Sequence, residues 1–228
     1  MIPRRLEPVL KRSAGRFPVV TVLGPRQSGK TTLVRALFPH HAYLNLENPE
    51  TRSLLGDDPK SLLRDGRETL IIDEAQRAPE VLSWVQVFVD RENRPGQFIL
   101  TGSDQPALDE AISQSLAGRT SVHHLLPLSL DELASEGLLA SRDEMLVKGC
   151  LPRLYDAGMS AADLYSAYFA TYVERDVRRL VNVKDITKFE TFLRLLAGRV
   201  GQLVNLSSLA GDVGVSSTTL GGWLSALE

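Results

Sequence analysis

This chain of 228 residues has a single cysteine, no surplus of positive charge and no long hydrophobic run. Its single cysteine, Cys150, excludes an internal disulfide. A formal net charge of −2 argues against a protein that coats nucleic acid with its whole surface. No apolar stretch reaches the roughly 20 residues that a membrane-spanning helix needs, and no apolar run follows the charges near Met1. We therefore expect a cytoplasmic protein with no signal peptide and no membrane contact.

A glycine-rich segment directly follows the apolar run at 19–23. It reads Gly-Pro-Arg-Gln-Ser-Gly-Lys-Thr-Thr and fits the phosphate-binding spacing G-x-x-x-x-G-K-[ST]. Gly24 and Gly29 permit the backbone curl that points N–H groups at phosphate oxygens. Lys30 would supply charge to the β- and γ-phosphates, and Thr31 a hydroxyl to Mg²⁺. The residues predicted to bind a nucleoside triphosphate are Gly24, Pro25, Arg26, Gln27, Ser28, Gly29, Lys30, Thr31 and Thr32.

Two adjacent carboxylates end a second apolar run, Leu-Ile-Ile-Asp-Glu at 70–74. Open α/β sheets bind ligands at the carboxyl ends of their strands. Neighbouring strand residues face opposite ways, so the two acids can take different tasks. We expect Asp73 to hold the Mg²⁺ shell together with Thr31, and Glu74 to act as the general base on the attacking water. The alternative is a solvated acidic strand end.

A third apolar run, Gln-Phe-Ile-Leu-Thr-Gly-Ser at 97–103, changes abruptly to hydroxyl side chains. In ATPases with a strand inserted between the phosphate-loop strand and the acidic strand, a polar residue at the tip of that strand contacts the γ-phosphate or the attacking water. Ser103 is the first candidate for this contact and Thr101 the second. Alternatively, Ser103 or Asp104 caps a helix predicted over 105–117. The pattern leaves both readings open.

Five segments in this order resemble prokaryotic AAA+-superfamily ATPases. They are 24–32, 70–76, Leu-Thr-Gly-Ser at 100–103, Leu-Ala-Gly-Arg at 116–119 and Glu-Arg-Asp-Val at 174–177. The resemblance is to the group whose ATPase domain is followed by a helical and winged-helix region and then by a nuclease-like domain. It implies a parallel five-stranded sheet ordered 5-1-4-3-2, with ATP as the nucleotide and Mg²⁺ as the cofactor.

The nuclease-like domain of that group is missing from this chain. Apolar residues at 220, 223, 224 and 227 have helical spacing, and no capping signal follows them before Glu228. We therefore expect the chain to be a fragment of a longer protein.

Strand and helix patterns alternate until about residue 130, and the pattern is helical afterwards. This predicts an α/β fold of the P-loop NTPase type over 1–135 and a smaller helical domain over 136–228. The helical domain is predicted to end in a helix-turn-helix or winged helix, with Gly214 closing one helix and Ser216 opening the next.

Whether the helix-turn-helix reads DNA is left open. Its second helix exposes Thr218 and Thr219 but no Arg or Lys, so a packing or lid role competes with DNA contact. Weak nucleic-acid contact could instead come from Arg175, Arg178 and Arg179, or from the basic N-terminal segment. We expect the basic side chains of that segment on the solvated face of a helix. They are Arg4, Arg5, Lys11, Arg12 and Arg16.

Arg119 lies just before the last predicted strand. Many AAA+ proteins place an arginine near this point that reaches the nucleotide of a neighbouring subunit, which would make hydrolysis depend on a homo-oligomer. A surface arginine after a helix-ending glycine is the alternative.

The sequence thus predicts a Mg²⁺-dependent ATPase that acts as a molecular switch or motor on a partner it does not identify. The alternative is a nucleotide-gated DNA-binding regulator with little or no turnover. A GTPase is disfavoured because the guanine-reading Asn-Lys-x-Asp is absent.

Overall fold

The computed structural model describes residues 2–63, 67–103, 106–156, 158–171, 186–225 and 227. The chain forms two compact units, residues 1–158 and 159–228. Among the described residues, no helix is both long enough and apolar enough to cross a bilayer. The domain boundary expected between residues 135 and 136 stays a prediction.

The first unit is built on a sheet of five parallel strands. Their order, β2-β3-β4-β1-β5, is the predicted 5-1-4-3-2 read from the other edge, so the predicted α/β architecture is confirmed. The strands are β1 Val19–Leu23, β2 Ala42–Asn45, β3 Leu70–Asp73, β4 Phe98–Gly102 and β5 Thr120–His124.

The central strands are apolar because both faces of the sheet are covered. All residues of β1, β3 and β4 are buried, which is typical of parallel strands enclosed by helices. Alternate residues divide between two cores: Ile71 and Ile99 pack with the helices on one face, and Ile72 and Leu100 with those on the other. This double burial fixes the strand register and aligns the carboxyl ends of the strands at one edge.

Nine helices of the first unit lie within the described residues. They are α1 Glu7–Ala14, α2 Lys30–Leu37, α3 Pro49–Asp57, α4 Pro59–Leu62, α5 Val81–Glu92, α6 Pro106–Leu116, α7 Leu130–Ser135, α8 Arg142–Lys148 and α9 Arg153–Asp156. A 3₁₀ turn, Ala75–Arg77, precedes α5.

The second unit is helical in its described part. Its helices are α10 Ala161–Tyr168, α11 Ile186–Ala197, α12 Leu206–Val213 and α13 Ser217–Ser225. Phe189, Phe192 and Trp223 form its aromatic centre, with ring centroids 5.2–5.9 Å apart.

The turn between α12 and α13 has the predicted helix-ending and helix-starting residues. Gly214 adopts a left-handed φ of 76° after α12, and the Ser216 hydroxyl accepts a hydrogen bond from the Thr219 N–H. The helix-turn-helix is therefore present, and the winged-helix part of the prediction stays a prediction. Arg175, Arg178 and Arg179 lie outside the described residues.

Candidate functional site

The loops that follow β1, β3 and β4 meet at one edge of the sheet. These strands are direct neighbours and parallel, so their carboxyl ends lie side by side. The glycine-rich loop after β1, the acidic pair at the end of β3 and Ser103 after β4 therefore belong to one site. The three segments predicted separately from the sequence come together here.

The loop after β1 requires its two glycines for different reasons. At Gly24 a Cβ atom would lie 2.3 Å from the Leu125 carbonyl oxygen, so the segment that follows β5 leaves no space for a side chain. At Gly29 the backbone has a φ of 94°, a conformation that costs other residues free energy. Gln27 also takes a positive φ, 63°, without that freedom. The loop is thus a constrained turn that ends at α2.

Lys30, the first residue of α2, is folded over the loop. Its side chain is 5% exposed, and its ammonium donates hydrogen bonds to the carbonyl oxygens of Gly24 and Pro25, both at 2.9 Å. The N-cap residue of α2 is Gly29, which offers no side chain to cap the first N–H groups of the helix. The site therefore combines a buried cation with the positive end of a helix, which is the arrangement that favours a phosphate group.

Arg4 corrects the expectation of a solvated basic segment. It precedes α1, is 8% exposed, and donates from Nη1 to the Ser28 carbonyl oxygen at 2.8 Å and from Nη2 to that of Leu126 at 2.6 Å. Its Nε lies 3.2 Å from a carboxylate oxygen of Glu132. Arg4 therefore ties the glycine-rich loop to the segment that leads into α7.

The partner of Arg4, Glu132, is a buried carboxylate with several donors. Burial alone raises its pKa, but N–H groups of Ser129 and Arg5 donate to it at 2.9 and 2.7 Å, and the charge of Arg4 adds to their effect. The net result is a lowered pKa. Glu132 is thus held ionised beside the loop.

Asp73 is a buried carboxylate that accepts hydrogen bonds from three hydroxyl groups. It is 3% exposed and accepts hydrogen bonds from Thr31 at 3.0 Å, from the Tyr43 hydroxyl at 2.6 Å, and from Thr101. Burial and the contact with Asp73 raise the pKa of Tyr43, so its hydroxyl remains a donor. The contact between Thr31 and Asp73 joins the start of α2 to the acidic strand.

Glu74 lies outside β3, which corrects the argument from strand alternation. The strand ends at Asp73, and Glu74 adopts a left-handed conformation with φ 59° and ψ 47°. Its N–H donates to the Thr101 hydroxyl at 3.3 Å. A backbone turn, and not the pleat of a strand, separates the directions of the two carboxylates.

The two candidate hydroxyls at the end of β4, those of Thr101 within the strand and Ser103 just after it, differ in their partners. Thr101 is committed to Asp73 and to the Glu74 N–H. The Ser103 hydroxyl is buried and has no hydrogen-bond partner within the described part of the chain. Asp104, the other candidate cap, lies outside the described residues. Ser103 is therefore the hydroxyl available to a ligand.

Comparison with known proteins gives the family. A family model described as an AAA domain (AAA_14) matches residues 16–134, more than half of the chain. The chain belongs to the AAA_14 family. It carries an AAA-type P-loop ATPase domain, as the resemblance implied. A second model, a domain of unknown function (DUF8612), matches residues 140–228.

Relatives of this AAA_14 protein include uncharacterized proteins of Mycobacterium tuberculosis and Mycobacterium bovis. Each is 34% identical over 223 residues, which cover 96% of this chain and 49% of the relative. The chain thus spans about half the length of these curated relatives. Among solved structures, a Walker-type ATPase of Pyrococcus abyssi is similar with a TM-score of 0.47 and 14% identity, covering 98% of this chain and 96% of that one.

Arg119 lies at the amino ends of the strands of this AAA_14 domain, at the opposite end of the sheet from the glycine-rich loop. It immediately precedes β5, whose first residue pairs with the first residue of β1, whereas the glycine-rich loop follows the last residue of β1. Its guanidinium pairs with Asp90 at the end of α5, with Nη2 3.0 Å from Oδ2, and this contact lowers the pKa of Asp90. Arg119 therefore does not belong to the site of its own chain.

Sequence reasoning missed three residues of the AAA_14 site: Arg4, Tyr43 and Gln76. The implied strand order placed the second strand beside the acidic strand, so a hydroxyl near Asp73 could have been expected from Tyr43. Gln76 was within a recognised segment but had no assigned role. Arg4 had no local signal, because its partners lie more than 20 positions away along the chain.

Proposed function

We propose that this chain is a Mg²⁺-dependent ATPase that acts as a nucleotide-driven molecular switch or motor. The observation that carries the proposal is the 3.0 Å contact between Thr31 and Asp73. It joins the glycine-rich loop to the acidic strand, with Glu74 as the next residue. Triphosphate binding and activation of water would then take place at one sheet edge.

The glycine-rich loop is proposed to bind the phosphates. Lys30 would exchange its contacts with the loop carbonyls for phosphate oxygens, and the uncapped N–H groups of α2 would add hydrogen bonds. The Ser28 hydroxyl is buried and lacks a partner among the described residues, which fits a donor to a ligand oxygen. A small cavity beside Gly29 and Thr32, lined by Leu33 and Pro152 among others, adjoins the loop.

The oxygen atoms of Thr31 and Asp73 fit a magnesium ion. Mg²⁺ prefers hard oxygen ligands and usually keeps several waters, so one hydroxyl, one carboxylate and the phosphates suffice. When bound, the ion would neutralise charge on the phosphate oxygens. Tyr43 and Thr101 would keep the Asp73 carboxylate oriented through their hydrogen bonds.

Glu74 is proposed as the general base, and Ser103 as the contact to the γ-phosphate or the attacking water. Glu74 follows Asp73 directly and is partly accessible, whereas Ser103 presents its hydroxyl at the tip of the adjacent strand. The base would accept a proton from the water as the water oxygen attacks phosphorus.

Arg119 is proposed to act on the nucleotide of a neighbouring subunit. Arg119 lies at the end of the sheet away from the glycine-rich loop of its own chain. It would therefore act on a nucleotide only if a second copy of the chain brought its own loop there. The proposal therefore includes a homo-oligomer formed in the presence of ATP.

A DNA-binding regulator is the second candidate function, and the helix-turn-helix of α12 and α13 favours it. Its second helix has no basic residue over 217–225. Because phosphate contacts supply most non-specific affinity, this helix offers little of it.

The Glu74→Gln variant tests the proposal. We expect ATP binding to persist and phosphate release to fall about 10²–10⁴-fold, because the amide cannot accept the proton of the water. Glu80→Gln, at an exposed position, is the matched control and should keep turnover unchanged. Near-normal phosphate release by Glu74→Gln would assign the base elsewhere.

The same experiment extends to Arg119 by mixing inactive chains. Arg119→Ala protein alone should bind ATP but hydrolyse little, and mixing it with Glu74→Gln protein should restore part of the activity. One mixed interface carries both an intact Glu74 and an intact Arg119. No recovery, with a monomeric mass in ATP, would make Arg119 a surface residue.

A further inference from the structure

Gln76 forms a bridge between Glu74 and the tip of β4. It lies in the 3₁₀ turn after Glu74 and is half-buried. Its side-chain amide nitrogen donates to a carboxylate oxygen of Glu74, and its amide oxygen accepts from the Ser103 N–H at 3.2 Å. One planar group therefore joins the proposed base to the strand tip at Ser103.

The Glu74 carboxylate depends on this bridge for its orientation. The backbone of Glu74 is fixed by its left-handed turn and by the contact of its N–H with Thr101. The carboxylate lies beyond three rotatable bonds, and within the described residues Gln76 is the side chain that hydrogen-bonds to it. Without Gln76 the backbone of Glu74 would keep its position, but the Glu74 carboxylate would be able to rotate.

Gly102 leaves the room that the bridge needs. A Cβ atom at Gly102 would lie 3.0 Å from the Gln76 amide oxygen and 2.4 Å from a methyl carbon of Leu108. The backbone of β4 can therefore approach the amide closely enough for the Ser103 N–H to donate to it. The contact is part of how the strand tip and the turn pack.

We propose that Gln76 is a positioning residue that sets the orientation of Glu74 and couples it to the γ-phosphate contact at Ser103. The inference rests on the proposed hydrolysis. A ligand oxygen bound by the Ser103 hydroxyl would fix the tip of β4, and the amide would transmit that constraint to the carboxylate. Gln76 would act through Glu74, and not by contacting the water or the phosphate itself.

Two substitutions separate the two halves of the bridge. Gln76→Met has similar length and makes neither hydrogen bond. Gln76→Glu keeps an acceptor for the Ser103 N–H but replaces the donor to Glu74 with a negative charge. The matched control is Gln114→Met, which removes a comparable glutamine-to-glutamate hydrogen bond, to Glu110, on the exposed surface of α6.

We expect both Gln76 variants to lower kcat about 10- to 10²-fold, because a misoriented base is out of line with the water. KM for ATP and the ATP affinity measured by calorimetry should stay within about twofold, since the phosphate loop is untouched. In the Glu74→Gln background, Gln76→Met should have almost no further effect on single-turnover hydrolysis, because its action passes through the carboxylate. Gln114→Met should match the unsubstituted chain.

Three results would overturn the inference. They are an unchanged kcat, a loss of ATP affinity in parallel with kcat, and a full additional loss in the Glu74→Gln background. The last two would make Gln76 a structural support of the strand tip. If Gln76→Met does not fold, Gln76→Glu still tests whether the amide donor to Glu74 is needed. Absence of turnover in the unsubstituted chain would refute the proposed function itself, whereas normal turnover in the Gln76 variants with an inactive Glu74→Gln protein would refute this inference alone.

Discussion

The carboxyl edge of the sheet and the helix-turn-helix bury different kinds of side chain. At the sheet edge the buried residues include Asp73 and Thr101, which hydrogen-bond to each other. In the second unit the buried residues of α11 to α13 are apolar and centred on Phe189 and Phe192. Its polar side chains Asn205 and Ser216 serve as helix caps.

This difference separates a region with a buried polar cluster from a region whose described core is apolar. Burying a polar group costs free energy unless it is paired, so a cluster of such groups needs partners or a ligand. At the sheet edge most are paired with each other, and the Ser28 and Ser103 hydroxyls have no partner among the described residues. The helical unit has no comparable polar cluster in its described core. The following changes test this contrast.

The largest stability effect is expected from Phe192→Ala in the helical unit. Phe192 is fully buried, and removing its ring should destabilise this unit by about 3–5 kcal/mol. Trp223 reports on the second unit and Trp84 on the first, so a Trp84→Phe background isolates the signal. We expect a lower Tm from Trp223 fluorescence. Val200→Ala, at a site 84% exposed, should leave it unchanged.

The same ring deletion should leave the unfolding of the first unit unchanged when Trp84 is followed in a Trp223→Phe background. Equal shifts in both signals would show that the two units unfold together, and the contrast between them would not extend to their stability.

Lys30→Ala should remove ATP affinity without destabilising the helical unit. A charge-assisted hydrogen bond contributes about 1.5–3 kcal/mol, so the dissociation constant for ATP should rise at least about tenfold. Titration calorimetry measures this directly, and the exposed Lys60→Ala is the control. Unchanged affinity would refute phosphate binding by the loop.

Glu132→Gln should lower the stability of the first unit by about 1 kcal/mol near neutral pH, because the neutral amide no longer forms an ion pair with Arg4. The folded-state pKa of Glu132 is lowered, so this stability is present above the ordinary pKa near 4.5 and is lost as pH falls through the folded-state value. The Tm difference from the unsubstituted chain should therefore shrink below about pH 4.5. A difference constant from pH 7 to pH 3 would contradict the ion pair.

The smallest effect is expected from changing Thr218 and Thr219 to Ala. Because α13 carries no basic side chain, duplex DNA should bind weakly and without sequence preference, with affinity that falls steeply as salt rises. The double variant should behave like the unsubstituted chain in fluorescence anisotropy on several duplexes. Tight, selective binding that needs these threonines would favour the DNA-binding regulator.

The sheet was predictable from the sequence because double burial leaves a local signature. β1, β3 and β4 are short and mostly apolar runs, and polar residues of the site lie at or just after their carboxyl ends. The sequence left open whether Thr101 or Ser103 provides the hydroxyl that contacts the ligand, because the two differ in hydrogen-bond partners on other parts of the chain.

Features set by distant contacts were not predictable in the same way. Glu74 was assigned to a strand, although a left-handed turn held in part by Thr101 determines its direction. Arg4 was placed on a solvated face, although Ser28 and Glu132 bury it. Charge pairs between residues far apart in sequence leave no periodicity for a local pattern to detect.

The position of Arg4 changes where the ATPase domain effectively begins. The AAA_14 match starts at residue 16, so a domain cut at that boundary would appear complete in alignments. It would nevertheless lack the guanidinium that binds the Ser28 carbonyl, and it would leave Glu132 without its charged partner. The glycine-rich loop itself would be present, but it would have lost its anchor. The segment that the family model matches is therefore shorter than the segment whose side chains hold the glycine-rich loop in place.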